Sequence, residues 1–218
     1  MSRIIVFGGH GRIALLLAPL LAARGDEVTG VIRNPDHAAE VEAGGATALV
    51  ADVENMDVEA IAEIISGHDA VVWSAGAGGG SAERTYAVDR DAAQRSMNAA
   101  ERAGVRRYVM VSWLGSTADH GVPEGDSFFP YADAKWAADE HLRGAGLEGT
   151  ILAPGTLTFD DPTSRIQIDP AGRGAVSRAD VAAVIAASLH EPCTIGRTIR
   201  FGNGDAESAV PIAEALAC

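Results

Sequence analysis

Short apolar runs alternate along this chain with amphipathic stretches of helical length. The runs are rich in valine and isoleucine and lack polar alternation, which is typical of parallel strands covered on both faces. Strands that alternate with helices predict an α/β fold with a doubly wound parallel sheet, a Rossmann fold, in a single domain over residues 1–218. The predicted strands are Arg3–Phe7, Glu27–Ile32, Thr47–Val50, Ala70–Trp73, Arg107–Val111, Thr150–Leu152 and Thr198–Phe201.

The segments between these runs carry helical patterns or are long loops. Because ligands of open α/β sheets bind outside the carboxyl ends of the strands, loops that follow strands are expected to line the site. Three such loops are Gly76–Ala82, Gly115–Pro130 and Gly155–Val176. The predicted helices are Gly11–Arg24, Asp36–Ala43, Asp57–Ser66, Glu83–Ala103, Tyr131–Gly144 and Arg178–His190.

Composition narrows the class of ligand to a small molecule. The 218 residues carry a net charge of −13, which disfavours binding to nucleic acid but permits a local basic pocket for one cofactor. The two cysteines, Cys193 and Cys218, form neither a disulfide framework nor a zinc spacing, so no metal is expected. No apolar stretch has the length of a membrane span or the form of a signal peptide. We therefore expect a cytoplasmic monomer or homodimer that binds a small-molecule substrate and no membrane.

The first predicted strand runs directly into a cluster of glycines. Gly8 and Gly11 allow the backbone to turn tightly and to approach a pyrophosphate, and Ala14 is small enough for the next helix to pack closely on the sheet. The phosphates would then meet free amides at the N-terminus of that helix. This position between a strand and a helix favours a dinucleotide site over a plain tight turn. The expected cofactor contacts are Gly8, Gly9, His10, Gly11, Arg12 and Ile13, with His10 lending its amide.

The end of the second predicted strand indicates which dinucleotide binds. An NAD site usually carries an acid here, which accepts hydrogen bonds from the ribose 2′-hydroxyl, whereas this chain has Arg33. Arg12 in the glycine cluster can approach the same region, and two guanidinium groups suit a 2′-phosphate. The sequence therefore predicts NADP(H). The alternative is that Arg33 is an exposed cation beside a helix.

Small and acidic residues after the third and fourth strands extend the predicted cofactor site. Asp52 can meet the adenine amino group, although a turn or capping role for this aspartate is the alternative. After the fourth strand, small residues allow the backbone to lie against the middle of the cofactor, unless this segment is only a flexible loop. The predicted contacts are Asp52, Val53, Ser74, Ala75 and Gly76.

Tyr131 and Lys135 are the chemically richest pair of the chain. They lie four residues apart at the start of a helical pattern and therefore project from one face. Reduction of a carbonyl needs a proton, and a free tyrosine, with a pKa of about 10, exchanges protons poorly at neutral pH. A lysine charge about 4 Å away supplies about 4 kcal/mol at an effective dielectric constant of about 20, enough to lower the tyrosine pKa by about three units. The alternative is a core tyrosine beside a solvent-exposed lysine.

A hydroxyl group after the fifth predicted strand would complete this catalytic set. Ser112 ends that strand and is the first candidate for donating a hydrogen bond to the substrate oxygen, with Ser116 second. The alternative is that Ser112 only terminates the strand.

The order of these features resembles the atypical short-chain dehydrogenase/reductase proteins over nearly the whole chain. The match extends through the segments 137–142 and 177–181 and a Pro154-Gly155 turn. The resemblance implies a Rossmann domain, NADP(H) at the glycine cluster with Pro154 and Lys135 also in contact, and Tyr/Lys/Ser chemistry. The same family includes NmrA-like members, which act as sensors, and flavin reductases similar to biliverdin reductase B.

Two departures from the family concern the substrate side. Many relatives have arginine where this chain has Ala153, and Trp113 replaces a small or polar residue. The chain also has only a short segment after Pro154, which argues against a bulky nucleotide-sugar substrate. The favoured hypothesis is an NADPH-dependent reductase of a small carbonyl or quinone-like substrate. The alternatives are a sensor that binds NADP(H) without turnover and an enzyme of the epimerase or dehydratase type.

Overall fold

A mostly parallel nine-stranded sheet organises the chain, in a computed structural model that describes all 218 residues. The strands are β1 (Arg3–Phe7), β2 (Glu27–Ile32), β3 (Thr47–Val50), β4 (Ala70–Trp73), β5 (Arg107–Val111), β6 (Glu148–Pro154), β7 (Thr156–Thr158), β8 (Arg165–Ile168), β9 (Ala175–Ser177), β10 (Thr198–Gly202) and β11 (Val210–Pro211). Their order in the sheet is β11-β8-β10-β6-β5-β4-β1-β2-β3, while β7 and β9 form a separate parallel pair. Only β8 runs against its neighbours, β10 and β11. The predicted fold class is thereby confirmed.

The helices connect these strands and cover both faces of the sheet. They are α1 (Ala14–Ala23), α2 (Ala38–Ala43), α3 (Val58–Ile65), α4 (Ala82–Thr85), α5 (Ala93–Ala103), α6 (Phe129–Gly144), α7 (Arg178–His190) and α8 (Ile212–Leu216). A π-helical segment, Tyr86–Ala92, joins α4 to α5 without a break, where the sequence predicts one regular helix. None of these helices has both the length and the apolar character that crossing a bilayer requires.

Two apolar clusters, one on each face of the sheet, explain the continuous apolar strands. Ile4 and Val6 of β1 belong to the cluster that includes α1 and α7 residues, whereas Ile5 and Phe7 belong to the cluster that includes α3 and α5 residues. Successive side chains of a strand point to opposite faces, so a strand buried on both faces must be apolar throughout. Every residue of β4, Ala70–Trp73, is buried for this reason.

The segment that the sequence predicts as a long loop, Gly155–Val176, contains three short strands instead. β7 and β9 have three residues each, and β8 has four. Runs of three or four residues are too short to show the alternation of polar and apolar residues that predicts a strand. The pairing of β8 with β10 is what makes it a strand, and that contact is distant in sequence.

The two cysteines pair with each other, which corrects the expectation that the chain has no disulfide. Cys193 and Cys218 form a disulfide, with their Cα atoms 5.3 Å apart. The contact arises because α8 packs against α7 and returns the end of the chain to the turn Pro192–Thr194. Sequence spacing alone gives no sign of this return.

A buried aspartate joins the β7–β9 segment to α7. The Asp180 carboxylate accepts hydrogen bonds from the Thr163 amide (2.9 Å), the Ser164 amide (2.8 Å), the Ser177 hydroxyl (3.0 Å) and the Asn203 side-chain amide (2.5 Å). Burial alone would raise the pKa of Asp180, but these donors favour the charged form and hold the pKa below its ordinary value.

Replacement of Asp180 by asparagine tests this anchor. Asp180→Asn should lower the free energy of unfolding by about 2–3 kcal/mol at neutral pH, since buried donors lose their charged acceptor. A carboxyl whose pKa is depressed by folding stabilises the protein above the unfolded-state pKa of about 3.9, and this stabilisation disappears as the pH falls further. Urea unfolding between pH 3 and 8 should therefore show the two proteins converging in acid. Asp161→Asn, an exposed neighbour, is the control, and a constant difference across the pH range would contradict the assignment.

Candidate functional site

The turn after β1 is held by close contact between backbones. Gly8 has φ +82°, and a Cβ atom there would lie 2.7 Å from the Cα atom of Ala75. The Gly11 amide donates to the Gly8 carbonyl at 2.7 Å, which closes the turn. The glycines at these two positions are therefore required by sterics, as the sequence predicts.

The middle glycine of the turn packs against β2. A Cβ atom at Gly9 would lie 2.6 Å from the Cα atom of Gly30, and the Gly9 amide donates to the Val31 carbonyl at 2.9 Å. Gly9 thus has a structural role in the turn, and its amide is already used within the protein.

Backbone amides at the start of α1 remain available. The amides of His10, Arg12 and Ile13 have no acceptor in the protein, and the first turn of α1 contains no acidic residue. Free amides and the positive end of a helix form a site for a phosphate group. These residues therefore fit the pyrophosphate of a dinucleotide.

A cleft of about 480 Å³ extends from this turn across the carboxyl ends of β2, β3 and β4. Nine of its lining residues are among those predicted to contact the cofactor, whereas Gly9, Arg12, Ile13, Lys135 and Pro154 are not in its wall. The nine are Gly8, His10, Gly11, Arg33, Asp52, Val53, Ser74, Ala75 and Gly76.

Two arginines and an acid lie together in the wall of the cleft. Arg33 Nη1 lies 3.5 Å and Arg84 Nε lies 3.4 Å from the same oxygen, Glu54 Oε2. Opposite them, the rings of His10 and His37 stack with centroids 3.7 Å apart. Sequence reasoning misses Arg84, Glu54 and His37, because only the packing of α4 brings Arg84 beside the end of β3.

Arg12 points away from this group, which corrects the expectation that it would join Arg33. Its guanidinium lies over the ring of Phe159, 5.0 Å from the ring centroid, in the segment that follows β7. Arg84 takes the second guanidinium position in the cleft instead.

The only lysine of the chain, Lys135, is buried, and the carboxylates whose charges act on it are those of Asp89 and Asp139. Its Nζ atom donates to the Val111 carbonyl at 2.6 Å at the end of β5. Burial lowers the pKa of Lys135, and the charges of Asp89 and Asp139 oppose this effect. Burial in turn raises the pKa of each aspartate, and Lys135 opposes that shift.

Asp89 links this charge cluster to the cofactor cleft. Its carboxylate accepts a hydrogen bond from the Ala77 amide at 2.9 Å and lies directly beneath Gly76, where a Cβ atom would meet it at 2.9 Å. Asp89 belongs to the π-helical segment, a rare geometry that occurs often at functional sites. The only sequence signal for the role of Asp89 is that an aspartate occupies a position on the apolar face of the predicted helix Glu83–Ala103.

The pKa of Tyr131 is raised rather than lowered, contrary to the sequence-based expectation. Burial is the main cause, and the negative charges of Asp89 and Asp139 add to it. The charge of Lys135, whose ammonium donates to the Val111 carbonyl, is not among the causes of this shift. The tyrosine therefore keeps its proton at neutral pH.

Ser112 and Ser116, the two predicted hydroxyl candidates, both contact Asp139. Their Oγ atoms donate to Asp139 Oδ2 at 2.5 Å and 2.6 Å, while Asp139 Oδ1 has no partner. The hydroxyl hydrogen of Ser112 is thus directed to Asp139, not free as the sequence analysis assumed. Trp113 packs beside Tyr131, with ring centroids 6.5 Å apart.

Comparisons with known proteins identify the family of the chain and proteins of similar fold. The NAD(P)H-binding family matches residues 8–192. The chain is 35% identical to an uncharacterized sugar epimerase of Bacillus subtilis, YhfK, over 98% of both proteins. Among solved structures, it is similar to a Bacillus halodurans protein provisionally assigned as an NAD-dependent epimerase/dehydratase, with 31% identity, TM-score 0.90 and 99% of both chains covered. It is also similar to the oxidoreductase ylbE of Lactococcus lactis, with 28% identity, TM-score 0.85 and coverage of 98% and 94%.

Because the chain has a single lysine, the pKa of Lys135 can be measured directly. Protein labelled with ¹³C-lysine should give one side-chain resonance, which titrates below the ordinary lysine pKa of about 10.4 because burial disfavours the ammonium. Asp89→Asn should lower this pKa further, since it removes a charge that stabilises the ammonium. Asp91→Asn, a half-buried acid of the same helical segment that pairs with Arg90, should leave the titration unchanged. A resonance that titrates at the ordinary value in the unaltered protein would contradict the buried cluster.

Proposed function

This chain belongs to the NAD(P)H-binding family, and on that premise we propose that it is an NADPH-dependent oxidoreductase that reduces a small carbonyl or quinone-like substrate. The observation that supports the proposal most directly is that Asp89 acts on both the cofactor cleft and the Tyr131/Lys135 pair. On one side of this residue lies the cleft with its free amides, and on the other lies the Tyr131/Lys135 pair.

Tyr131 is proposed as the proton donor. When bound, NADPH supplies a hydride to the carbonyl carbon, and Tyr131 gives its phenolic proton to the carbonyl oxygen, so that an alcohol and NADP⁺ result. The raised pKa of Tyr131 suits this direction, because the residue is protonated before the reaction begins. Solvent then returns the proton to the tyrosine.

Lys135 and Ser112 are proposed to assist this transfer. Because the Lys135 ammonium donates to the Val111 carbonyl in this structure, it can stabilise the phenolate that remains after proton transfer only when it turns from this carbonyl toward Tyr131. The Ser112 hydroxyl becomes a donor to the substrate oxygen if Asp139 takes up a proton. The raised pKa of Asp139 makes that protonation easier than for an ordinary carboxyl.

The preference for NADPH over NADH is proposed on the basis of Arg33. It lines the cleft directly after β2, and no acid takes the position where an NAD site would bind the ribose hydroxyls. Arg84 and the two stacked histidines add donors to the same region. Glu54 keeps the two guanidinium groups together until a phosphate binds there.

Arg33→Ser should distinguish the two cofactors. Removal of a charge-assisted contact with the 2′-phosphate should weaken NADPH binding at least about tenfold, whereas NADH binding should change by less than about twofold. Fluorescence titration with both cofactors measures these affinities. The control is Arg106→Ser, which changes an arginine just before β5, at the amino ends of the strands. Equal loss for the two cofactors would contradict a 2′-phosphate site.

Tyr131→Phe tests the proton donor. The variant should bind NADPH as the unaltered protein does and lose about 10²–10⁴-fold in turnover, because only the proton is removed. The assay is NADPH oxidation against a panel of aldehydes, ketones, quinones and flavins. Tyr86→Phe, another tyrosine near Asp89, is the matched control. Full activity of Tyr131→Phe would remove Tyr131 from the mechanism.

A reaction of the epimerase type is the second candidate, supported by the assignments of two similar proteins. In that case a hydride would pass from the substrate to the oxidised cofactor and back to the same carbon, so neither the amount of cofactor nor the hydrogen content of the substrate would change. Incubation of candidate substrates with either NADP⁺ or NADPH, followed by chromatographic separation of stereoisomers, separates the two readings. A new stereoisomer formed without a net change in the cofactor favours the epimerase, and stoichiometric NADPH oxidation favours the reductase.

A further inference from the structure

Two arginines and a phenylalanine form a second cationic group beside the glycine turn. The guanidinium carbon of Arg178 lies 4.1 Å, and that of Arg12 lies 5.0 Å, from the centroid of the Phe159 ring. Arg178 also donates to the carbonyls of Leu157 and Thr158, which fixes its position. The Arg12 side chain makes no hydrogen bond within the protein, so all of its guanidinium N–H groups remain available to a ligand.

No carboxylate neutralises this pair. Neither Arg12 nor Arg178 takes part in a salt bridge, although most other arginines do and the chain has a net charge of −13. Asp160 and Asp161 follow Phe159 directly but bond to neither guanidinium. Burial lowers the pKa of Arg178, and the charge of Arg12 lowers it further, so the two cations repel each other. Two adjacent cations without a counter-ion are stabilised when an anion lies between them.

The position of this pair separates it from the cofactor cleft. Arg12 precedes α1 and Arg178 begins α7, and these two helices pack against each other on one face of the sheet. Neither arginine lines the cleft that contains Arg33. Phe159 lies shortly after the end of β6, where the Pro154 carbonyl accepts a hydrogen bond from the Leu114 amide beside Ser112. Arg12 follows β1, and Phe159 follows β6 and β7, so the pair lies at the carboxyl ends of strands, where ligands of open α/β sheets bind.

We propose that Arg12 and Arg178, stacked on Phe159, bind an anionic group of the substrate, a carboxylate or a phosphate ester. The assignment rests on the proposed reductase function and specifies its substrate as a carbonyl compound with a negative charge. Phe159, with 75% of its surface exposed, offers an apolar surface beside the charge. The diphosphate of the cofactor is the other anion that reaches this turn, and the experiment separates the two.

A pair of matched aldehydes provides the first measurement. 4-Formylbenzoate and its methyl ester carry the same reacting group and differ in charge. The unaltered protein should show a kcat/KM for NADPH-dependent reduction at least about tenfold higher for the carboxylate, because a charge-assisted contact is lost with the ester. Arg12→Gln and Arg178→Gln should reduce this ratio to about one, chiefly through KM. Arg102→Gln, a change in the last turn of α5, should preserve the preference for the carboxylate.

Calorimetry on the NADP⁺ complex provides a second measurement that needs no turnover. The unaltered protein and Arg102→Gln should bind 4-formylbenzoate equally, and at least about tenfold more tightly than its methyl ester, whereas Arg12→Gln should bind 4-formylbenzoate at least about tenfold more weakly. NADPH affinity should stay within about twofold in all variants. Arg12→Gln is the decisive variant because its side chain makes no hydrogen bond whose loss would disturb the fold, and thermal melting checks this.

Each outcome of the two measurements decides one of the proposals. An equal loss of NADPH and 4-formylbenzoate affinity in Arg12→Gln would assign the pair to the cofactor diphosphate and overturn the substrate site. Equal handling of acid and ester by the unaltered protein in both measurements would also overturn it. Binding of 4-formylbenzoate that depends on Arg12, without NADPH oxidation by either aldehyde, would uphold the anion site and reject the proposed reductase.

Discussion

The close approach of three backbones at the end of β1 is the constraint on which the site depends. A side chain at Gly8 would collide with Ala75 after β4, and one at Gly9 would collide with Gly30 in β2. The three strands can therefore end side by side only because these positions lack a Cβ atom. Their meeting leaves the amides at the start of α1 without partners and determines where a phosphate can bind.

The charge cluster around Lys135 depends on the same edge of the sheet. Burial of an ammonium ion without partners would cost several kcal/mol, and the charges of Asp89 and Asp139 oppose this effect of burial. Asp89 in turn sits beneath the backbone of Gly76, so the cofactor cleft and the charge cluster share one wall. The irregular helical segment around Asp89 is what brings its carboxylate to this position. A change in either region is therefore expected to affect the other.

The sequence predicted the sheet and the glycine turn because both follow from local rules. Valine-rich runs and a strand–glycine–helix order leave few alternative folds. Arg33 comes directly after β2 in the sequence, and in the structure it lines the cleft. The direction of the Arg12 side chain, the charges around Tyr131 and the short strands after β6 were not predictable in this way. Each of them depends on residues distant in the chain, such as Phe159 for Arg12 and Asp89 for Tyr131. Residue spacing reports which groups share a helix face, but not which charge lies closest in three dimensions.

The burial of the only lysine has a practical consequence for handling the molecule. Amine-directed crosslinkers and dyes would find no exposed lysine among these 218 residues, because Lys135 is buried with its ammonium on the Val111 carbonyl. Modification of Lys135 requires that the packing of α6 on the end of β5 opens locally. The rate at which such a reagent labels Lys135 would therefore report how often this part of the fold opens.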